Sequence, residues 1–214
     1  MGAGALPLNQ ALPGLWRFEA NHPDWTEEEG GEEGWDPVVA WWALKQRAGL
    51  VLIDPLVADW SELDRLAAEA GGVAGVVRTI HWHQRSCDEV AHRYGCPVWA
   101  KPPPKGVPER PFDRAIHDGD ELFDGLRATT VERADEIALW LPGQRALLFG
   151  DAMLRRADGR LRVCPDSWLQ PDAGPGRLRQ ILKRLAELPA EHVLVAHGPL
   201  VLGDGADGLT QALG

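Results

Sequence analysis

The chain is predicted to be an α+β protein, a four-layer αβ/βα sandwich in which two β-sheets pack face to face between outer helices. Three observations predict this. The N-terminal half runs from strand-like segments into amphipathic helices, and the C-terminal half repeats that order. In addition, three apolar runs end in residues able to bind a metal ion or a proton, which gathers the chemistry at one edge of the fold.

Leu15–Ala20, Val38–Lys45 and Leu50–Asp54 read as strands from their aliphatic and aromatic content, with Gly49 marking the turn between the last two. Between the first two lies the acidic, glycine-rich stretch Thr26–Gly34. It has no periodicity and reads as a solvated loop, with a flap over a site as the rarer reading. Asp59 and Glu62 form a capping pair for a helix whose Leu63, Leu66, Ala67 and Ala70 share one face. Val73–Ile80 is the next strand, and Ser86 with Glu89 gives a second capping box for a helix through Tyr94. The proline-rich Lys101–Pro111 must be extended, because proline supplies no ladder donor and biases its neighbour away from helix.

Short strand-like runs follow at Glu121–Leu126, Arg127–Val131, Glu136–Leu141, Ala146–Phe149 and Leu161–Val163, which predicts a second, mainly antiparallel sheet. Leu178, Ile181, Leu182 and Leu185 have helical spacing, ahead of a strand at Val193–Ala196 and a short last helix holding Leu209 and Leu213.

With 214 residues, a single domain spanning the chain is expected. A formal charge of −10 and scattered Lys and Arg argue against a nucleic-acid partner, which usually needs a basic stripe. No apolar run is long enough to cross a bilayer, so a cytoplasmic protein acting on a small-molecule substrate or ligand is expected. Cys87, Cys96 and Cys164 suit neither a disulfide framework nor a zinc cluster. The ten tryptophans are read as packing residues, and Trp168 as an apolar loop anchor or a pocket wall.

The most telling segment is Arg78-Thr79-Ile80-His81-Trp82-His83-Gln84-Arg85-Ser86. Two imidazoles two apart on a strand would share a face and could grip one ion together. Downstream, Leu147-Leu148-Phe149-Gly150-Asp151 and Leu194-Val195-Ala196-His197-Gly198-Pro199 end strands in a carboxylate and an imidazole.

This order of motifs resembles the metallo-β-lactamase superfamily over nearly the whole chain. The H-x-H-x-D-H motif of that family lines up with His81 to Ser86, keeping both leading histidines and replacing the aspartate by Arg85 and the last histidine by Ser86. Counting along Thr129–Glu136 places Glu132 where the family has its next metal histidine. Asp151 matches the aspartate that bridges two metals in relatives, His197 the closing histidine, and Asp54 a structural acidic position.

The resemblance therefore implies one metal position held by His81, His83, Glu132 and Asp151. The second position keeps only Asp151 and His197 and is expected to bind no ion. Arg85 is always charged, cannot ligate, and is expected to stand in for the second ion, pairing with Asp151 or steadying an oxyanion; an ion pair with the acidic helix behind it is the plainer reading. Ser86 reads as a helix cap. Two functional readings follow. One is a one-metal hydrolase (zinc, or iron or manganese) acting on an ester, thioester, amide or phosphoester, with Asp151 and Arg85 in catalytic roles. The other is a metal-free relative that uses the pocket to bind a small molecule or a protein.

Overall fold

The computed structural model describes residues 9–31, 33–103, 107–108, 110–131, 135–169 and 176–214. The first sheet carries, in spatial order, β1 (Gln10–Leu12), β2 (Leu15–Asn21), β3 (Val38–Gln46), β4 (Gly49–Ile53), β5 (Val73–Arg78), β6 (Val98–Ala100) and β7 (Arg114–Ala115). It opens antiparallel through β4 and is parallel from β4 to β7. Two helices make the parallel crossovers: α1 (Trp60–Ala70) joins β4 to β5, and α2 (Cys87–Tyr94) joins β5 to β6.

The second sheet has the order β14–β11–β10–β9–β8, from β8 (Glu121–Leu122), β9 (Leu126–Val131), β10 (Glu136–Leu141), β11 (Ala146–Phe149) and β14 (His192–Val195). It is antiparallel except for the β11–β14 pair. A separate hairpin of β12 (Met153–Arg155) and β13 (Leu161–Val163) follows β11. Helices α3 (Gly176–Ala186) and α4 (Gly205–Leu213) flank β14 in sequence. The very short β1, β6, β7 and β12 escaped the sequence reading because two or three residues cannot establish a period of two.

Strand alternation sorts the apolar residues into three layers. On β3 and β4, Trp41, Ala43, Leu50 and Leu52 pack with Leu63, Leu66 and Val90 of α1 and α2. Their neighbours Trp42, Leu44, Val51 and Ile53 turn inward to meet Ile137, Leu139, Leu148 and Leu194 of the other sheet. Trp140, Leu147, Phe149, Val193 and Val195 then face Leu178, Ile181, Leu182 and Leu185 of α3 and Leu209 of α4. The layers are thus helix, sheet, sheet, helix, each held by removal of apolar side chains from water at about 1.5 to 3 kcal/mol apiece.

The first helix starts as expected, with the Asp59 carboxylate accepting from Ser61 N and Glu62 N at 2.9 and 3.2 Å. The second does not. Ser86 sits at the N-cap of α2 without a side-chain capping bond, and its hydroxyl instead accepts from Val57 N at 3.0 Å, tying the 55–57 segment to the helix start.

The two sheets are stitched together at one end by an Ala40 N–H donated to Ala196 O at 2.7 Å and by isolated bridges Val39–His197 and Ile80–Glu136. At that seam Glu136, fully buried, accepts from Gly150 N at 2.9 Å and from Asp151 N and Ala152 N at 2.7 Å each. Burial and the charge of Asp151 push its pKa up to about 8 against the pull of those three amides. Gly150 is required here, since a Cβ would stand 2.7 Å from Thr79 Oγ1. Glu136→Ala would leave three buried N–H groups unpaired, each costing roughly 1 to 3 kcal/mol. We expect a loss of about 3 kcal/mol or more in chemical denaturation and a smaller loss for Glu136→Gln; unchanged stability in Glu136→Ala would show that the cradle is dispensable.

Candidate functional site

Above that seam four segments converge. Asp54 closes β4 with φ +49 and is buried, its Oδ1 accepting from Thr79 N at 2.7 Å and its Oδ2 from the Thr79 hydroxyl. Oδ2 also lies 2.9 Å from His83 Nδ1. Burial would raise the Asp54 pKa, but His83, Arg85 and Thr79 together hold it below the usual carboxylate value. An ionised carboxylate only accepts, so His83 Nδ1 carries a proton and its Nε2 faces the site.

Asp151, delivered by the Glu136 cradle, places Oδ1 3.2 Å from His83 Nε2 and 3.0 Å from His197 Nε2, while Trp82 Nε1 donates to its Oδ2 at 2.7 Å. Despite its burial, His83 and His197 hold the Asp151 pKa well below normal. His197 leaves β14 ahead of Gly198, whose φ of +98 and whose crowding against Arg155 O, 2.4 Å from a notional Cβ, exclude a side chain. Burial lowers the His197 pKa, and its Nδ1 is buried with no partner among the described residues.

Arg85 sits in the same cluster with φ +37. Its Nη1 donates to Asp54 O at 3.0 Å and Ala40 O at 3.4 Å, and its Nη2 lies 3.3 Å from His83 Nε2. The guanidinium is therefore beside Asp151 in the field of both carboxylates, but its hydrogen bonds go to backbone oxygens and the His83 ring. No bidentate pair with Asp151 forms, nor a pair with the acidic helix.

Burial and Arg85 press the His83 pKa down, yet Asp151 and Asp54 prevail and carry it up to about 9. His83 Nε2 thus meets opposite demands. Arg85 asks for a lone pair there, and Asp151 asks for a proton or another cation.

The structure brings together His83, Asp151, His197 and Arg85 of the residues expected from sequence. It sends His81 elsewhere. Residues 81–86 form turns, because β5 ends at Arg78 and Ile80 is bridged to Glu136, so the rule that i and i+2 share a strand face does not apply. His81 Nδ1 lies 2.8 Å from Asp135 Oδ2, and Asp135 Oδ1 lies 2.5 Å from Lys101 Nζ. Glu132 lies outside the described residues.

A cavity of about 430 Å³ opens over the cluster, walled by Trp35, Trp82, Trp168 and His22 and bordered by Arg110. Trp35 follows the acidic stretch, whose own Glu29 also borders the cavity. Trp35 and Trp168 meet the His197 ring edge-on at 5.1 and 6.2 Å. Trp168 also packs on the outer core, so it is both anchor and wall. The three cysteines are buried and unpaired, and burial lifts the Cys96 and Cys164 thiols to about 11 and 12.

The ligand-type atoms of His83, Asp151 and His197 lie within 4.8 Å of one another. Separations of 3.0 and 3.2 Å between carboxylate oxygen and ring nitrogens are close to the ~3.3 Å edge of a tetrahedron with metal–ligand bonds near 2.0 Å. Two imidazoles and one carboxylate suit zinc or iron. The donor set fits one divalent ion.

Comparisons place this geometry. The chain superposes on a β-lactamase domain protein from Burkholderia ambifaria with a TM-score of 0.70 at 18% identity, over 98% of this chain and 74% of that one. DIM-1 metallo-β-lactamase gives 0.69 at 14% identity, over 96% and 95%. TTHA1623, in a di-iron-bound form, gives 0.59 at 24%, over 77% and 89%. These likenesses show the fold. No curated protein matches the sequence, and no described helix is long and apolar enough to cross a membrane. A family model of the metallo-β-lactamase superfamily matches residues 37–213, and with most of its length so covered the chain belongs to that superfamily.

Proposed function

We propose that this protein is a hydrolase dependent on one divalent metal ion, held by His83, Asp151 and His197. The observation that carries this reading is the convergence of those three ligand atoms on the floor of an open cavity, with the outer nitrogen of His83 anchored by Asp54. A carboxylate behind a ligating histidine orients the ring and raises its basicity. The di-iron form of TTHA1623 is an example of transition metals held on this fold.

Charge and occupancy both favour a single ion. Asp54 and Asp151 supply two negative charges and Arg85 one fixed positive charge, so with neutral imidazoles one divalent ion leaves the cluster at +1 and a second would carry it to +3. The second oxygen of Asp151, which a bridging aspartate would give to a second ion, is taken by the Trp82 indole N–H. Arg85, where the family places an aspartate ligand, repels any cation beside it.

When bound, the ion would activate a water and polarise the scissile carbonyl or phosphoryl group. The chain's own residues supply the rest. Arg85 is a fixed cation for the negative charge that develops on the substrate. The Trp82 indole N–H holds the outer oxygen of Asp151 in place. An ester, thioester, amide or phosphoester small enough for the cavity is the substrate class that this chemistry serves.

Elemental analysis after loading with zinc, manganese or ferrous iron should find about one equivalent, and none in His83→Ala. The double variant Arg85→Asp, Ser86→His restores the missing pair of ligands and should bind about two equivalents. No metal in the wild-type protein under any loading would overturn the reading and leave a binding pocket instead. Two equivalents in the wild type would overturn the single site.

Asp54→Asn should weaken metal binding by roughly 10- to 100-fold while leaving the protein folded. Equilibrium competition with a chromogenic chelator measures this. An unchanged affinity would mean that Asp54 serves only the fold.

A further inference from the structure

The walls of the cavity say more about the ligand than its floor does. Three tryptophans from three separate segments meet there: Trp35 from the loop between β2 and β3, Trp82 from the turns after β5, and Trp168 from the 166–168 turn. Each is held in place by something else. Trp35 Nε1 donates to Glu29 at 3.3 Å, Trp82 Nε1 to Asp151, and Trp168 rests on the outer core. The polar edges of Trp35 and Trp82 are thereby occupied and indole surface is left to the cavity, Trp82 being 41% exposed.

Beside these faces stands Arg110. Its backbone is fixed, since the buried Arg78 donates to Arg110 O at 3.3 Å and to Pro111 O at 3.2 Å. Arg110 is exposed, borders the cavity, and makes no side-chain hydrogen bond or ion pair among the described residues. The acids on the same wall are differently placed. Glu29 receives the Trp35 indole, Asp151 is bound by Trp82 and His197, and Asp24 lies exposed at the margin.

From this juxtaposition we infer that the cavity binds a flat aromatic acid: the ring system lies among Trp35, Trp82 and Trp168, and a carboxylate of the ligand pairs with Arg110. An aromatic ring gains from offset and edge-on contact with indoles beyond its area burial, which a flexible alkyl chain does not. A planar guanidinium with free donors matches a carboxylate in a two-point contact. The inference rests on the reading of this cavity as the substrate site, and it narrows the substrate to an aromatic ester, thioester or amide that also bears an acid group.

The test is calorimetric titration of the full chain with 2-naphthoate, 2-naphthamide and octanoate, as purified and again in EDTA. Naphthoate should bind about tenfold more tightly than either of the others, with and without EDTA, since neither wall needs an ion. Arg110→Gln, an exposed change that spares the core, should bring naphthoate down to the level of naphthamide and leave naphthamide unchanged. Trp168→Leu keeps an apolar anchor and should weaken both naphthyl ligands severalfold while sparing octanoate.

Equal binding of naphthamide, or an undiminished naphthoate affinity in Arg110→Gln, would overturn the acid assignment. Equal binding of octanoate would overturn the aromatic one. Loss of naphthoate binding in EDTA would overturn the role of Arg110 by giving the carboxylate to the ion. Because the titration reads binding without metal, its failure is separate from failure of the metal analysis.

Discussion

The buried carboxylate of Asp54 is the constraint on which the rest of the site depends. It lies where β4 ends in a left-handed backbone turn, and it reaches across to Thr79 and His83 on the segment that follows β5. The contact between neighbouring strands thereby becomes a fixed orientation of one imidazole. A carboxylate so deeply buried must be paired, and beyond Thr79 it recruits two members of the site: His83 through its side chain, and Arg85 through its charge and a bond to Asp54 O. From the opposite sheet Glu136 performs the corresponding task for Asp151, by gripping three successive backbone amides. The two halves of the sandwich each aim one side chain of the cluster, and each does so with a buried acid.

This arrangement explains why Arg85 is tolerated in a place where the family carries an aspartate ligand. A guanidinium inserted among cation ligands would ordinarily be expelled, but here two carboxylates lie close by and two backbone carbonyls accept its N–H groups. A non-glycine residue at φ +37 costs of order 1 to 3 kcal/mol, which the surrounding bonds must offset. The same Arg also makes the site asymmetric. On its side of His83 a fixed positive charge stands, and on the other side the Asp151 carboxylate.

The architecture was legible in the sequence because long strands and amphipathic helices announce themselves by period. Trp41-Trp42-Ala43-Leu44 and Leu50 to Ile53 alternate between two cores, and Leu178 to Leu185 have a helical stripe. The positions of Asp151 and His197 just beyond strand ends were legible for the same reason. His81 was misplaced because its position depends on where β5 stops, and that is decided by Ile80 pairing with Glu136 of the other sheet, a contact between distant parts of the chain. Asp135 and Glu136 stand in a charged stretch of the sequence, yet both are buried, and only the fold reveals it. Ser86 carried a capping pattern, yet the nearby amide of Val57 claimed its hydroxyl.

The tryptophans are the most instructive case, since composition alone assigned all ten to packing. Trp41, Trp42 and Trp140 do pack, buried on strands whose period predicts it. Trp35, Trp82 and Trp168 lie in loops and turns, where no period constrains them and where an apolar side chain gains little from burial unless something covers it. What separates the two groups is the element that carries them: Trp41, Trp42 and Trp140 stand inside strands, and Trp35, Trp82 and Trp168 outside them. The buried acids fix the polar cluster at the seam between the sheets, and the loop aromatics wall the cavity over it, so the two features fall on different elements and can change independently.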